Sequence, residues 1–122
     1  MIVSGTVSFL FTDIEGSTRV WEKQPQSIRR ALARHDDLLR QGIESHGGYV
    51  FKTVGDAFCA SFDVAAEALA SALAIQHLLL DEDWGETPIR VRMALHTGNV
   101  DEREGDYFGP AVNRVARLLS LG

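Results

Sequence analysis

Two apolar runs, YVFKTV and AFCASF, are separated by nothing but Gly55 and Asp56. Each run has the length of a strand, and a glycine beside an aspartate suits a hairpin turn. The pair is expected to fold as adjacent antiparallel strands. What flanks it narrows the fold further. On the N-terminal side, from Ser27 to His46, Ile28, Leu32, Leu39 and Ile43 fall on one helical stripe that Gly47 and Gly48 stop. On the C-terminal side, Asp63 is placed to cap a second long helix. There Val64, Ala68, Ala72, Ile75 and Leu79 recur at spacings of three and four, and the helix ends near Asp81. A hairpin between two amphipathic helices calls for a sheet with helices packed on it.

The outer segments complete the order. In TVSFLFTDI, Val7, Phe9 and Phe11 alternate, giving a strand that ends at Asp13. EGST then supplies a glycine and hydroxyl caps for a short helix through Trp21. In IRVRMALHTG, Ile89, Val91, Met93 and Leu95 face one way while Arg90, Arg92 and His96 face the other. The tract DEREGD, residues 101 to 106, reads as an exposed loop or hairpin. Gly109 and Pro110 open a last helix, proline fitting its first turn, with Asn113 and Arg117 four residues apart on one face. The order β, α, α, β, β, α, β, α predicts an α+β fold. It is a ferredoxin-like α/β sandwich with a mainly antiparallel sheet and helices packed on one face.

Length and charge bound the function. A chain of 122 residues holds one core, and no linker, repeat or low-complexity tract divides it, so a single domain over 1–122 is expected. The net charge of −5 comes without a basic block, which disfavours nucleic acid and anionic membrane surfaces as partners. An anionic ligand would need local help, such as a metal. One cysteine, Cys59, leaves no internal disulfide, and there is no charged-then-apolar leader or long apolar span. A cytoplasmic protein is expected on those grounds.

Chemistry has to come from polar residues that interrupt the apolar pattern. Asp13 ends the first strand and Asp56 sits in the hairpin turn, so if those strands are neighbours the two carboxylates converge at one sheet edge. Two close carboxylates suit a divalent cation, and Mg²⁺ is commonly held by one or two carboxylates plus substrate phosphates. Beside Asp13, the EGST segment with Gly16, Ser17 and Thr18 places backbone N–H groups at a helix N-terminus, a seat for phosphate oxygens. Either aspartate alone would be an ordinary strand-end or turn residue. Together with EGST they point to a nucleoside triphosphate.

The segments FTDIEGST, FKTVGDAF, ALHTG and GDYFGPAVNRVAR resemble, in this order and over nearly the whole chain, the catalytic segments of class III nucleotidyl cyclases, the adenylate and guanylate cyclase family. The chain is most similar to bacterial forms in which such a domain precedes ATPase and DNA-binding regulatory domains, so regulatory domains are expected on another or a longer chain. The resemblance implies that Asp13, Asp56 and the backbone carbonyl of Ile14 bind two metal ions per site, Mg²⁺ or Mn²⁺. It implies that Lys52 and Asp106 read the purine, that Asn113 orients the ribose and that Arg117 stabilises the transition state. The implied reaction converts ATP into cyclic AMP and pyrophosphate at the interface of a homodimer. Adenine offers an acceptor at N1 beside a donor at N6, which a lysine and a carboxylate complement, whereas guanine reverses the order. The family's domain usually continues past the last helix with a further strand and helix, including a lysine that contacts the triphosphate. The expectation is thus a domain lacking its usual C-terminal portion, with an uncovered edge that favours partner pairing or strand exchange.

Two other functions fit parts of the pattern. One is a noncatalytic nucleotide-binding or dimerisation module derived from a cyclase. The other is a diguanylate cyclase, whose similar hairpin carries GGDEF where this turn reads VGDAF. Cys59, Trp21 and Trp84 read as packing residues, and His35, on the first helical stripe, and His96 form no cluster that suggests zinc.

Overall fold

The computed structural model describes residues 2–16, 25–85, 88–103 and 106–121. Strand β1 (Ile2–Ile14) is followed by helix α1 (Pro25–Glu44), the hairpin β2 (Tyr49–Val54) and β3 (Ala57–Phe62), and helix α2 (Ala65–Asp81). Then come β4 (Val91–Arg103), β5 (Asp106–Phe108) and helix α3 (Pro110–Leu121). The strands form one five-stranded sheet in the order β2-β3-β1-β4-β5, and every neighbouring pair is antiparallel. This is the expected α+β sandwich. The DEREGD tract resolves into the hairpin alternative, since β4 runs on to Arg103 and Arg103 faces Asp106 across the ladder. The helix expected after EGST, with Ser17, Thr18 and Trp21, lies outside the described residues.

The central strand explains the layers. Side chains alternate across a strand, and β1 is apolar on both sides. Leu10 and Ile14 join Leu38, Leu39 and Ile43 of α1 and Ala68, Ala72, Ile75 and Leu79 of α2 in one core. Phe9 and Phe11 join Cys59, Ala94 and Val100 in a second core, closed by Ala111, Val115 and Leu119 of α3. Packing of helices on one face therefore holds for α1 and α2, while α3 covers the other face. The physical reason is that a sheet apolar on both faces must be covered on both. One local expectation changes: α2 starts from Val64 with no side-chain cap, Asp63 lying one residue too early to serve.

Two features shape the α3 side. Val50 pairs with Ala60 and Lys52 with Cys59, so Phe51 is the extra residue of a β-bulge. The bulge resets the alternation, and Lys52 shares the α3 face with its neighbour Phe51 rather than opposing it. Phe51 then meets Tyr107 of β5 at a ring distance of 4.7 Å, and both rings stand edge-on to Phe9. Although β2 and β5 are the two outer strands, Phe51 and Tyr107 come together over Phe9.

Candidate active site

The C-terminal end of β1 gathers the acidic residues. Asp13 lies on the same side as Phe9 and Phe11, and across the ladder it faces Arg92 of β4. Arg92 grips it with two bonds: Nε donates to Oδ1 at 2.7 Å and a terminal nitrogen to Oδ2 at 2.5 Å. Asp56, in the β2–β3 turn, accepts a hydrogen bond from the backbone N–H of Ile14, which ties the turn to the end of β1. Gly55 makes that turn possible by adopting a φ of 59°, the left-handed region. Burial foremost, and then the negative charge of Asp13, push the Asp56 carboxyl above its ordinary range. The amides of Ile14 and Asp56 pull the other way without cancelling the rise.

A half-buried carboxyl held above its ordinary range beside a second carboxylate fits a hard divalent cation, whose charge both would share. Among the described residues no three His, Cys, Asp or Glu side chains come together as a metal group. The aspartate pair could supply only part of a coordination shell, the rest of which would have to come from groups such as a backbone carbonyl, water and ligand oxygens. Gly16, two residues beyond Ile14, has a φ of 65°.

Lys52 and Asp106 are brought together. Lys52 Nζ lies 2.7 Å from Asp106 Oδ2, a contact made across the two outer strands that the bulge and the Phe51–Tyr107 contact set up. Burial of Asp106 opposes its ionisation, but the Lys52 hydrogen bond, the Tyr107 amide and the Lys52 charge together hold its pKa below the ordinary value. The result is a cation and an anion side by side, both partly open to solvent. Cys59 lies on the same face, and burial foremost pushes its thiol up to about 11, which suits packing and not nucleophilic attack.

Asn113 and Arg117 stand apart from the acidic end. Ala111, Val115 and Leu119 hold α3 to the sheet, whereas Asn113 and Arg117 are exposed. At 100° per residue their side chains leave the helix opposite the buried stripe. No hydrogen bond or ion pair among the described residues links either side chain to Asp13 or Asp56. Arg117 lines an open pocket of about 350 Å³ with His96, Arg114 and Leu118.

Of the residues named from the sequence, the structure brings Asp13, Ile14 and Asp56 together at one end of β1 and Lys52 together with Asp106, and it adds Arg92, which the sequence did not single out, as the partner of Asp13. Its signal was only that Arg92 alternates with Val91 and Met93; the ladder register that sets it opposite Asp13 is not local information.

An antiparallel α+β sandwich with paired carboxylates at one strand end defines a class of domain, and comparison with known proteins gives the family. The model of the adenylate and guanylate cyclase catalytic domain matches residues 2–122. The chain belongs to that family. An uncharacterised protein of Mycobacterium tuberculosis is 41% identical over 120 residues, which is 97% of this chain and 40% of that protein. An adenylate cyclase of Lachancea kluyveri is 35% identical over 144 residues, covering 97% of this chain and 8% of that enzyme. The chain thus spans less than half the length of these relatives. Among solved structures, an adenylate cyclase of Trypanosoma brucei in its monomeric state superposes with a TM-score of 0.88 at 30% identity, over 97% of this chain and 70% of that one. An adenylate/guanylate cyclase/hydrolase from Silicibacter pomeroyi gives 0.86 at 31% identity, over 100% of this chain and 73% of that one. Among the described residues no helix is long and apolar enough to cross a membrane.

Proposed function

We propose that the chain is an adenylate cyclase domain that converts ATP into 3′,5′-cyclic AMP and pyrophosphate in the cytoplasm, as a homodimer with two composite sites. The observation that carries the choice of substrate is the Lys52–Asp106 pair at 2.7 Å. A lysine facing N1 and a carboxylate facing N6 complement adenine, while guanine would set each group against its own kind. The named adenylate cyclase relative supports the reading.

Asp13, Asp56 and the Ile14 carbonyl would hold two Mg²⁺ or Mn²⁺ ions, which when bound supply charge that acidifies the ribose 3′-hydroxyl and neutralises the departing pyrophosphate. Backbone amides at Gly16, Ser17 and Thr18 would receive triphosphate oxygens. Asn113 holds the ribose so that its 3′-oxygen lies in line with the α-phosphorus. As that oxygen forms its bond to the α-phosphorus and its proton passes to solvent water, the bond from the α-phosphorus to the bridging oxygen breaks and pyrophosphate leaves with the electron pair. Arg117 stabilises the charge that builds on the α-phosphoryl oxygens, a role worth ~10³ to 10⁵ in rate for phosphoryl-transfer arginines. Because Asn113 and Arg117 are exposed and leave α3 opposite its buried stripe, they would serve the carboxylates of a second copy. One twofold axis then builds two identical sites.

One observation favours the noncatalytic alternative: Arg92 already neutralises Asp13. The deciding assay is incubation of the purified protein with ATP and either Mg²⁺ or Mn²⁺, with cyclic AMP resolved chromatographically and Asp13→Ala as control. Product above the control supports the cyclase. Product no higher than the control in both metals supports a nucleotide-binding or dimerisation module.

A further inference from the structure

Behind the carboxylate pair, on the α1 side of the sheet, lies a polar cluster that the mechanism above does not use. His35 of α1 is fully buried, with an exposure of 0%, and so is Thr12 of β1. Among the described residues only two buried side-chain polar atoms have no hydrogen-bond partner, and they are His35 Nε2 and Thr12 Oγ1. Both belong to residues packed around Phe58. Thr12 is directly opposite Phe58 across the ladder, and the His35 ring stands edge-on to the Phe58 ring at 5.8 Å. Arg40 covers the same ring, with its Cζ 5.4 Å from the centroid.

The two orphan atoms are complementary. His35 Nδ1 lies 2.8 Å from Asp36 Oδ1. A carboxylate only accepts, so in the neutral ring Nδ1 carries the proton and donates it to Asp36. Nε2 is left as a bare acceptor. The Thr12 hydroxyl is a donor in search of one, and a buried polar atom without a partner costs more than an ordinary hydrogen bond returns. A single buried water that accepts from the Thr12 hydroxyl and donates to Nε2 satisfies both.

Its place gives it consequence. Thr12 precedes Asp13 and Ile14 in the chain, and Phe58 follows Asp56 by two residues. We propose that His35, with its tautomer set by Asp36, is linked to the Thr12 hydroxyl through one buried water and acts as a positioning residue that pins the end of β1 carrying Asp13 and Ile14 against the turn carrying Asp56. This rests on the reading of those residues as a metal site. Groups that orient metal ligands from behind typically change metal affinity by about 10- to 100-fold when removed.

Two measurements on the full chain test it. Long-range ¹H–¹⁵N NMR of the histidine rings should show His35 protonated at Nδ1, with an Nε2 resonance that moves in Thr12→Val. A proton on Nε2, or an Nε2 signal indifferent to Thr12→Val, overturns the water-bridged link. Mn²⁺ titration followed by EPR, without nucleotide, should give a dissociation constant about tenfold weaker in His35→Phe. His35→Gln, which keeps a carbonyl acceptor, should bind close to the wild-type value. If His35→Phe does not fold, the shape-preserving Thr12→Val takes its place, with weaker Mn²⁺ binding expected. Wild-type affinity in the variant that folds overturns the positioning role alone, and a wild-type protein that binds no Mn²⁺ overturns it together with the metal site.

Discussion

Replacing Gly98 with alanine puts a methyl group where α3 already stands. A Cβ at this position of β4 would meet the Cβ of Ala111 at 2.8 Å and Nε2 of His96 at 3.3 Å. Carbon atoms are comfortable from about 3.5 Å, so the Ala111 contact is short by ~0.7 Å or more. A histidine ring can swing aside. The Ala111 methyl is fixed to the helix backbone, so the start of α3 must lift by up to ~1 Å or β4 must bend. Overpacking of this kind costs about 1–3 kcal/mol. For a domain of this size it corresponds to a fall in melting temperature of roughly 4–12 °C, measured by circular dichroism. The functional cost should be larger, because Asn113 and Arg117 ride on the displaced helix, and a misplacement near 1 Å can lower turnover by ~10²-fold. Ala111→Gly removes the opposing methyl at a helix-propensity cost of up to ~1 kcal/mol. The double variant Gly98→Ala, Ala111→Gly should therefore recover both melting temperature and cyclic AMP formation relative to Gly98→Ala. A double variant as impaired as the two single changes added together would refute the steric argument.

Asp56→Asn should stabilise the metal-free chain. The folded-state pKa of Asp56 is raised, by burial first and Asp13 second, so the favourable protonated state is fully populated below the ordinary value of 3.8 and its contribution is lost as pH rises through the folded value. In chelator at neutral pH the variant should melt above wild type and gain nothing from added Mn²⁺; a lower melting temperature would contradict the repulsion. Lys52 and Asp106 keep 45% and 28% of their side chains exposed, so their ion pair is worth about 0–1 kcal/mol. Replacing both with alanine should leave thermal stability nearly unchanged while eroding the preference for ATP over GTP, read as the ratio of kcat/KM values. Equal discrimination in the double variant would place base reading elsewhere.

The parts of this fold legible in the sequence are those set by neighbours along the chain. Gly55 and Asp56 mark the hairpin because the left-handed turn needs glycine, and the alternation of Phe9 and Phe11 marks β1 because a strand repeats every two residues. The helical stripe through Ile28, Leu39 and Ile43 is equally local, and these residues are buried as expected. What escaped depends on pairing between distant segments. The bulge at Phe51 turns Lys52 onto the α3 face without leaving a mark in composition. Likewise the Asp13–Arg92 pair follows from a ladder register spanning 79 residues of chain. The side of the sheet taken by α3 was misjudged because the apolar residues Ala111, Val115 and Leu119 show which face of the helix is buried, not which face of the sheet receives it. Asp106 could be named from its motif, but its meeting with Lys52 requires the two outer strands to close over Phe9.

The central claim is that one chain carries two complementary halves of a site that only a second copy can complete. Asp13→Ala removes the metal-binding half and Arg117→Ala the transition-state half. Each variant alone should form no cyclic AMP from ATP and Mn²⁺. After subunit exchange in an equal mixture, half of the dimers should be mixed, each with one site bearing both defects and one bearing neither. The mixture should therefore recover roughly a quarter of wild-type activity under twofold symmetry. Complete subunit exchange without recovered cyclic AMP, from a wild-type protein that is active, would contradict the shared site.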